Sequence, residues 1–204
     1  MPKPLHMFVL GGLTAVVTAC SGPQLDSDLL EAHVEPLRPP TPIAQTDRLF
    51  RLQVGTVHYA IVDGDEAEQI AELRIEQQDD AWVRHAPGGR ITHLTVDAAG
   101  NIIVTAVEDL DHDVITRYDP PLMLMPAALE PNKPIIIESS MTIVDRDDPA
   151  RQVDEGTCRQ LFVHDGDQVV MAPAGRFDCH RIRMKYRAKL RFAEVTTQTV
   201  RHYA

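Results

Sequence analysis

The chain has 204 residues, 44% of them hydrophobic and 25% charged, with 30 acids against 20 Lys and Arg and a formal charge of −10 at neutral pH. That length suffices for one domain with a full core. Acidity this strong argues against a nucleic-acid binder and against broad electrostatic adsorption to anionic lipid.

Residues 1–19 read as a processed leader. Lys3 supplies a positive start, Met7 to Val17 is an apolar run broken only by Gly11, Gly12 and Thr14, and small Ala19 precedes Cys20. The run is too short to cross a bilayer, which needs about 20 apolar residues. Val17-Thr18-Ala19-Cys20 resembles the lipobox of bacterial lipoproteins. That resemblance implies cleavage before Cys20, acylation of its thiol and amine, and, with Ser21 rather than Asp next, sorting to an outer membrane with the protein facing the periplasm. The alternative is an ordinary signal peptide with an incidental cysteine. With Cys20 committed to lipid, Cys158 and Cys179 remain as an even pair in an oxidising compartment, and a disulfide between them is expected. Two buried free thiols are the other reading.

Residues 20–46 carry Pro23, Pro36, Pro39, Pro40 and Pro42 with little apolar periodicity, and read as an irregular tether between the lipid and the domain. Residues 47–204 read as a single antiparallel β domain. Phe50 to Val62 leads into Asp63-Gly64-Asp65; Gln69, Ala71, Leu73 and Ile75 alternate with polar neighbours; Pro87-Gly88-Gly89 divides Trp82-Val83 from Ile91 to Val96. Ala98-Ala99-Gly100-Asn101 is a hairpin turn signal, and His164-Asp165-Gly166-Asp167 reads as another. Closely spaced strands of this kind predict a mainly β protein, a curved antiparallel sheet with little helix. One short helical turn is expected near Pro121 to Leu129.

The sharpest pattern runs from Arg181 to Phe192. Ile182, Met184, Tyr186, Ala188, Leu190 and Phe192 fall on one face of a strand, and Arg181, Arg183, Lys185, Arg187, Lys189 and Arg191 on the other. A strand of that length measures roughly 40 Å and belongs in a large sheet. Its basic face needs acids from neighbouring strands, and Glu68, Glu72 and Glu76 share one parity on an earlier strand. The basic strip reads either as a solvated salt ladder or as a surface for phosphate headgroups. Trp82, Phe162, Phe177, Tyr186 and Phe192 are the expected aromatic core.

Catalytic and metal chemistry find little support. Asp111-His112-Asp113 reads as a polar hairpin bend; Cys158, His164, Cys179 and His180 lack paired CxxC or HxxxH spacing. Ser139-Ser140 has no Gly-x-Ser-x-Gly elbow, no Gly-rich phosphate loop precedes a helix, and Asp79-Asp80 and Asp147-Asp148 sit in turn-like contexts. The expectation is a non-enzyme with neither metal nor cofactor.

Three stretches, Leu49 to Tyr59 (LFRLQVGTVHY), Tyr118 to Pro126 (YDPPLMLMP) and Pro173 to Ile182 (PAGRFDCHRI), resemble a functionally uncharacterised family of bacterial envelope lipoproteins with a Pro-Ala-Gly-x-Phe-Asp-Cys motif. The resemblance implies the half-barrel of the lipoprotein-localisation carriers, in which a sheet wraps an apolar cavity. This chain departs from it at His58, where family members tend to carry Trp, at Pro131-Asn132-Lys133-Pro134, and at Ala204, where a Gly-rich tail is usual. Two functions follow as expectations. The first is a binding module whose concave face holds an acyl chain or another apolar ligand, with Met123, Leu124, Met125, Met171 and Met184 as adaptable lining. The second is an envelope assembly or scaffold protein that binds another protein through a sheet edge or its basic strip.

Overall fold

A computed structural model of the chain describes residues 33–46, 49–50, 52–60, 70–172 and 175–204. The leader, Cys20, the first part of the tether and Glu68 lie outside the described residues. Eleven strands follow in order: β1 (His33–Val34), β2 (Gly55–Ala60), β3 (Ile70–Gln78), β4 (Ala81–Ala86), β5 (Arg90–Val96), β6 (Ile102–Asp109), β7 (Val114–Met125), β8 (Ile135–Asp145), β9 (Gln152–Ala172), β10 (Gly175–Leu190) and β11 (Glu194–Tyr203). From β2 to β11 each strand pairs antiparallel with the next, giving one curved, open sheet with β2 and β11 at its edges and essentially no helix. The expected mainly β, half-barrel-like architecture is the one observed.

Turn chemistry sets most of the hairpins. Gly88 and Gly89 take φ of 69° and 63° between β4 and β5, a left-handed pair that residues with a Cβ adopt only at a cost. Between β5 and β6 the Asp97 carboxylate accepts the amides of Ala99 and Asn101 at 2.9 Å each. The Asp111-His112-Asp113 bend joins β6 to β7, and His112 Nδ1 lies 3.0 Å from Asp109 Oδ2.

Two expectations about local structure fail here. His164 to Asp167 is no hairpin: β9 runs straight through it, and a β-bulge absorbs the extra residue. Nor is there a helical turn from Pro121, because β7 continues to Met125, where Leu122, Met123 and Met125 pair with Val104, Ile103 and Ile102. Pro120 and Pro121 fit this strand because β6 skips them: Val104 pairs with Leu122 and Ala106 with Arg117.

The inner face of the sheet carries one apolar cluster. Leu94, Val104, Leu122, Met125, Met141, Phe162, Ile182 and Ala188 are buried in it, so it reaches from β5 to β10. Trp82 and Tyr186 pack against it as expected. Phe177 and Phe192 do not. Phe177 has the parity of Arg181 and Arg183, and β10 ends at Leu190, which leaves Phe192 90% exposed in the turn into β11.

The sequence places 20–46 in an irregular tether, yet 33–46 is built onto the domain. His33 and Val34 pair with Met171 and Val170 of β9, Arg38 bridges Asp167, and Ile43 bridges Leu129. This strap takes the β9 edge where β8 leaves off, since β8 pairs with Gln152 to Phe162 only. Ile43 is buried in the inner cluster, Leu49, Phe50 and Leu52 pack against it, and Phe50 meets Tyr203 edge-on with ring centroids 6.5 Å apart. The Thr46 hydroxyl donates to the Pro126 carbonyl, and its amide donates to Ala127 at 3.0 Å.

On the opposite face of β5 and β6, His93 Nε2 lies 2.6 Å from Glu108 Oε1 and Arg146 Nε donates to Oε2 at 3.2 Å. Burial alone would raise the Glu108 pKa, but these two partners outweigh it and hold the carboxyl below its ordinary 4.5. A carboxyl depressed by folding contributes stability above its unfolded pKa and loses it as the pH falls through the folded value. Thermal melts of Glu108→Gln should therefore show a lower midpoint than the parent at neutral pH. The gap should narrow as the pH falls through the depressed folded value, where the parent carboxyl also takes a proton; an undiminished gap in acid would assign the defect to packing instead.

Candidate functional site

The β9 bulge brings together His164, Asp167 and His180, the one close group of three His, Cys, Asp or Glu side chains with ligand-type spacing among the described residues. In an unbroken strand positions 164 and 167 face opposite sides. Here the register steps so that Ile182 pairs with His164 while Arg181 pairs with Gly166 and His180 with Asp167. Asp165 is the inserted residue. The step puts His164, Asp167 and His180 on one face and turns Asp165 to the other, where it accepts from Arg181 Nη1 and Arg183 Nε at 2.8 Å each.

His164 is fully buried. Its Nε2 lies 2.9 Å from Asp167 Oδ1 and 3.0 Å from the Gly166 carbonyl, and its Nδ1 has no hydrogen-bond partner. His180 Nδ1 approaches the same Asp167 oxygen at 2.8 Å, and the two imidazoles meet edge-on with centroids 5.2 Å apart. The other Asp167 oxygen, Oδ2, is taken by the strap: Thr41 donates its amide at 3.0 Å and its hydroxyl at 2.7 Å. Burial opposes ionisation of Asp167, but the donors Thr41, His180 and His164 prevail and its pKa is lowered.

The basic strip is largely paired within the sheet. Besides the Asp165 pairs, Arg187 reaches Glu194 at 2.8 Å and Arg191 reaches Glu155 at 3.8 Å. The acids thus come from β9, from Glu194 of β11 and from the bulge, and not from Glu72 and Glu76. Those two face His58, Arg74 and His85 at the far side of the sheet, because β3 and β10 are separated by six strands in the meander. No ion pair is found for Lys185 or Lys189 among the described residues. Lys189, Arg187, Arg159, Glu138, Ser140 and Thr157 line an open groove of about 560 Å³ on this face, together with the buried residues Ser139 and Cys158.

The candidate apolar lining is dispersed. Leu124 and Met125 are buried core residues, Met123 and Met184 pack against the core, and Met171 is exposed beside the strap at β1. None of the five lines the groove. Gln160 ties two of them down, accepting from the Met123 amide at 3.0 Å, donating to its carbonyl at 2.8 Å and touching Met184 Sδ at 3.3 Å.

The expected Cys158–Cys179 disulfide is absent, and both are free buried thiols. Register explains it. Cys158 pairs with Ala188 and Cys179 with Gln168, which puts the two about ten strand positions, roughly 33 Å, apart. A disulfide needs Cα atoms within about 7 Å. Burial raises the pKa of each thiol, which keeps both protonated and unreactive. Around Cys158, burial likewise pushes Tyr118 up to about 12 and raises Tyr186, so both phenols are neutral.

Sequence reasoning names His164 and His180 as zinc-type ligands, assigns Asp165 and Asp167 to a hairpin turn, and passes over Thr41. The available signal is the odd spacing of His164 and Asp167 around an Asp-Gly, which converges on one face only if a bulge intervenes. No protein-family model matches the chain, and no curated protein or solved structure is significantly similar to it.

Proposed function

We propose that this protein is a non-catalytic docking module of the bacterial envelope, anchored by lipid at Cys20 to the outer membrane, which binds an extended segment of another envelope protein along the free edge of β11. One observation carries the reading. β11 ends the open sheet, runs ten residues in unbroken register with β10, and has no strand on its outer side among the described residues. Sheet edges are ordinarily blunted by charge, proline or bulges. Between Glu194 and Arg201, residues 195–200 (VTTQTV) hold none of these and are rich in β-branched residues. Such an edge supplies backbone donors and acceptors for strand addition.

The inner face supports the same choice over an apolar ligand. Ile43 of the strap and Leu129 are buried in its apolar cluster and Leu49, Phe50 and Leu52 pack against it, which leaves less apolar surface for an acyl chain. The groove on the outer face is lined by charged and hydroxyl groups, which suits a peptide better than a lipid tail.

Successive strand amides point to opposite sides, so of two adjacent residues one donates towards β10 and the other outward. Either Thr197→Pro or Gln198→Pro therefore removes an outward donor while sparing the β10 ladder. Native mass spectrometry of the lipidated protein extracted from envelopes should show a stoichiometric protein partner, lost at least tenfold in one of the two variants. Co-purified lipid without a protein partner, or a partner retained by both variants, would overturn the docking role.

A further inference from the structure

We infer that His164, Asp167 and His180 form a binding site for a divalent metal ion of the zinc type, assembled by the β9 bulge and completed when the strap docks. The site is separate from the β11 edge and does not depend on the docking role. One ligand atom from each of the three residues lies within 4.8 Å of the others, and Asp167 Oδ1 is 2.9 Å from His164 Nε2 and 2.8 Å from His180 Nδ1. Two imidazoles and one carboxylate are a donor set that zinc accepts, with a fourth position left for water or another ligand.

The present spacing is that of two hydrogen bonds converging on one acceptor oxygen. Donor atoms around a tetrahedral zinc sit about 3.3 Å apart, as its bond lengths of about 2.0–2.1 Å require. Asp167 Oδ1, at 2.9 Å and 2.8 Å from the two ring nitrogens, must therefore withdraw by roughly half an ångström, well within the reach of a side-chain rotation.

The surroundings are those of a built site. Thr41 donates to Oδ2 with both its amide and its hydroxyl, which limits Asp167 to a small rotation that keeps Oδ1 towards the two imidazoles. An outer shell that orients a ligating carboxylate in this way strengthens the metal's hold. His164 is sealed in the fold, while His180 keeps 29% of its side chain open to solvent and gives the ion a way in. When the metal takes the Nε2 lone pair of His164, the ring proton moves to Nδ1, which has no partner. That lowers the affinity about 10- to 100-fold relative to sites whose histidines are backed by a carbonyl. Since Thr41 belongs to the strap and the ligands to β9 and β10, loading the ion and docking the strap reinforce each other.

Titration of the full chain with Co²⁺ alone, followed by its visible d–d absorption and competed by Zn²⁺, tests the site. One equivalent should bind with the intensity of a four-coordinate centre. His180→Ala, which lies at the open side, should abolish that absorption, and Thr41→Ala should weaken binding about tenfold through loss of the outer shell. His112→Ala, a surface histidine in the β6–β7 bend, should change nothing; circular dichroism of each variant confirms that the sheet is retained. Absence of saturable Co²⁺ binding, binding undiminished in His180→Ala, or equal loss in His112→Ala would overturn the assignment, and unchanged affinity in Thr41→Ala would overturn its link to the strap.

Discussion

Phe162→Ala is expected to lower the stability of the domain by about 3–5 kcal/mol, the range for emptying a large aromatic from a core that cannot close around the void. Phe162 is 3% exposed and stands in the middle of β9 with Ile135 of β8 on one side and Met184 of β10 on the other. Ile135 is the end residue of β8 paired with β9, Met184 lies inside the β9–β10 ladder, and Gln160, one position along the same face, locks Met123 and Met184 in place. The cavity therefore persists, and the lost contacts add to the lost transfer free energy. Phe192→Ala is the matched control. Its ring is 90% exposed in a turn, and its removal should cost less than about 0.5 kcal/mol. Urea unfolding of the two variants should separate their midpoints while leaving the slope alike. Equal midpoints would mean that the inner face of β9 is not the centre of the core.

That contrast also marks how far the sequence can be read. Alternation from Arg181 onward identifies β10 and its two faces because strand parity is a local property, fixed by the backbone whatever the neighbours are. The turns at Gly88-Gly89, Asp97 to Asn101 and Asp111 to Asp113 are legible for a similar reason: their side chains or positive φ values suit them to a bend without help from the rest of the chain. By that rule Phe177 already belongs to the face of Arg181 and Arg183, so its assignment to the core misreads the parity; Phe192 fails at the next level. Whether an alternating residue is buried depends on how far the core reaches along the strand, and the apolar pattern does not mark that limit.

Pairing register is less legible still. Spacing in sequence offers no hint that Cys158 lies opposite Ala188 and Cys179 opposite Gln168. The same holds for the acids facing the basic strip, which come from the adjacent strands and the bulge. His164-Asp165-Gly166-Asp167 contains the residues of a hairpin turn, but those residues serve equally well in a bulge, and the choice between them is made by tertiary structure. The strap hides for a related reason. Its contacts are isolated bridges at Arg38 and Ile43 rather than a long ladder, and proline-rich sequence carries no periodicity from which such bridges could be foreseen. Hence two of the three candidate metal ligands are visible as residue types in the sequence reading, whereas their convergence requires both the bulge and the strap.

Gly166→Ala addresses both features at once and is expected to cost about 2–3 kcal/mol by overpacking the point where the strap crosses β9. A Cβ at this position would lie 2.3 Å from Leu37 Cδ1 and 2.8 Å from the Arg38 carbonyl oxygen. Leu37 is half exposed and can swing aside. The Arg38 backbone cannot, because its amide donates to the Asp167 carbonyl at 2.8 Å and its carbonyl accepts the Asp167 amide at 3.1 Å. Relief of the clash therefore breaks that bridge, and with it the Thr41 bonds to Asp167 three residues further on. Hydrogen exchange should show faster exchange at Arg38, Thr41 and Ile43, with the amides of β5 to β8 unchanged, since their ladders do not involve the strap. Slowed or unaltered exchange across 38–43 would mean that the strap does not run over the bulge, and the carboxylate of Asp167 would then lack the outer support on which its proposed part in metal binding rests.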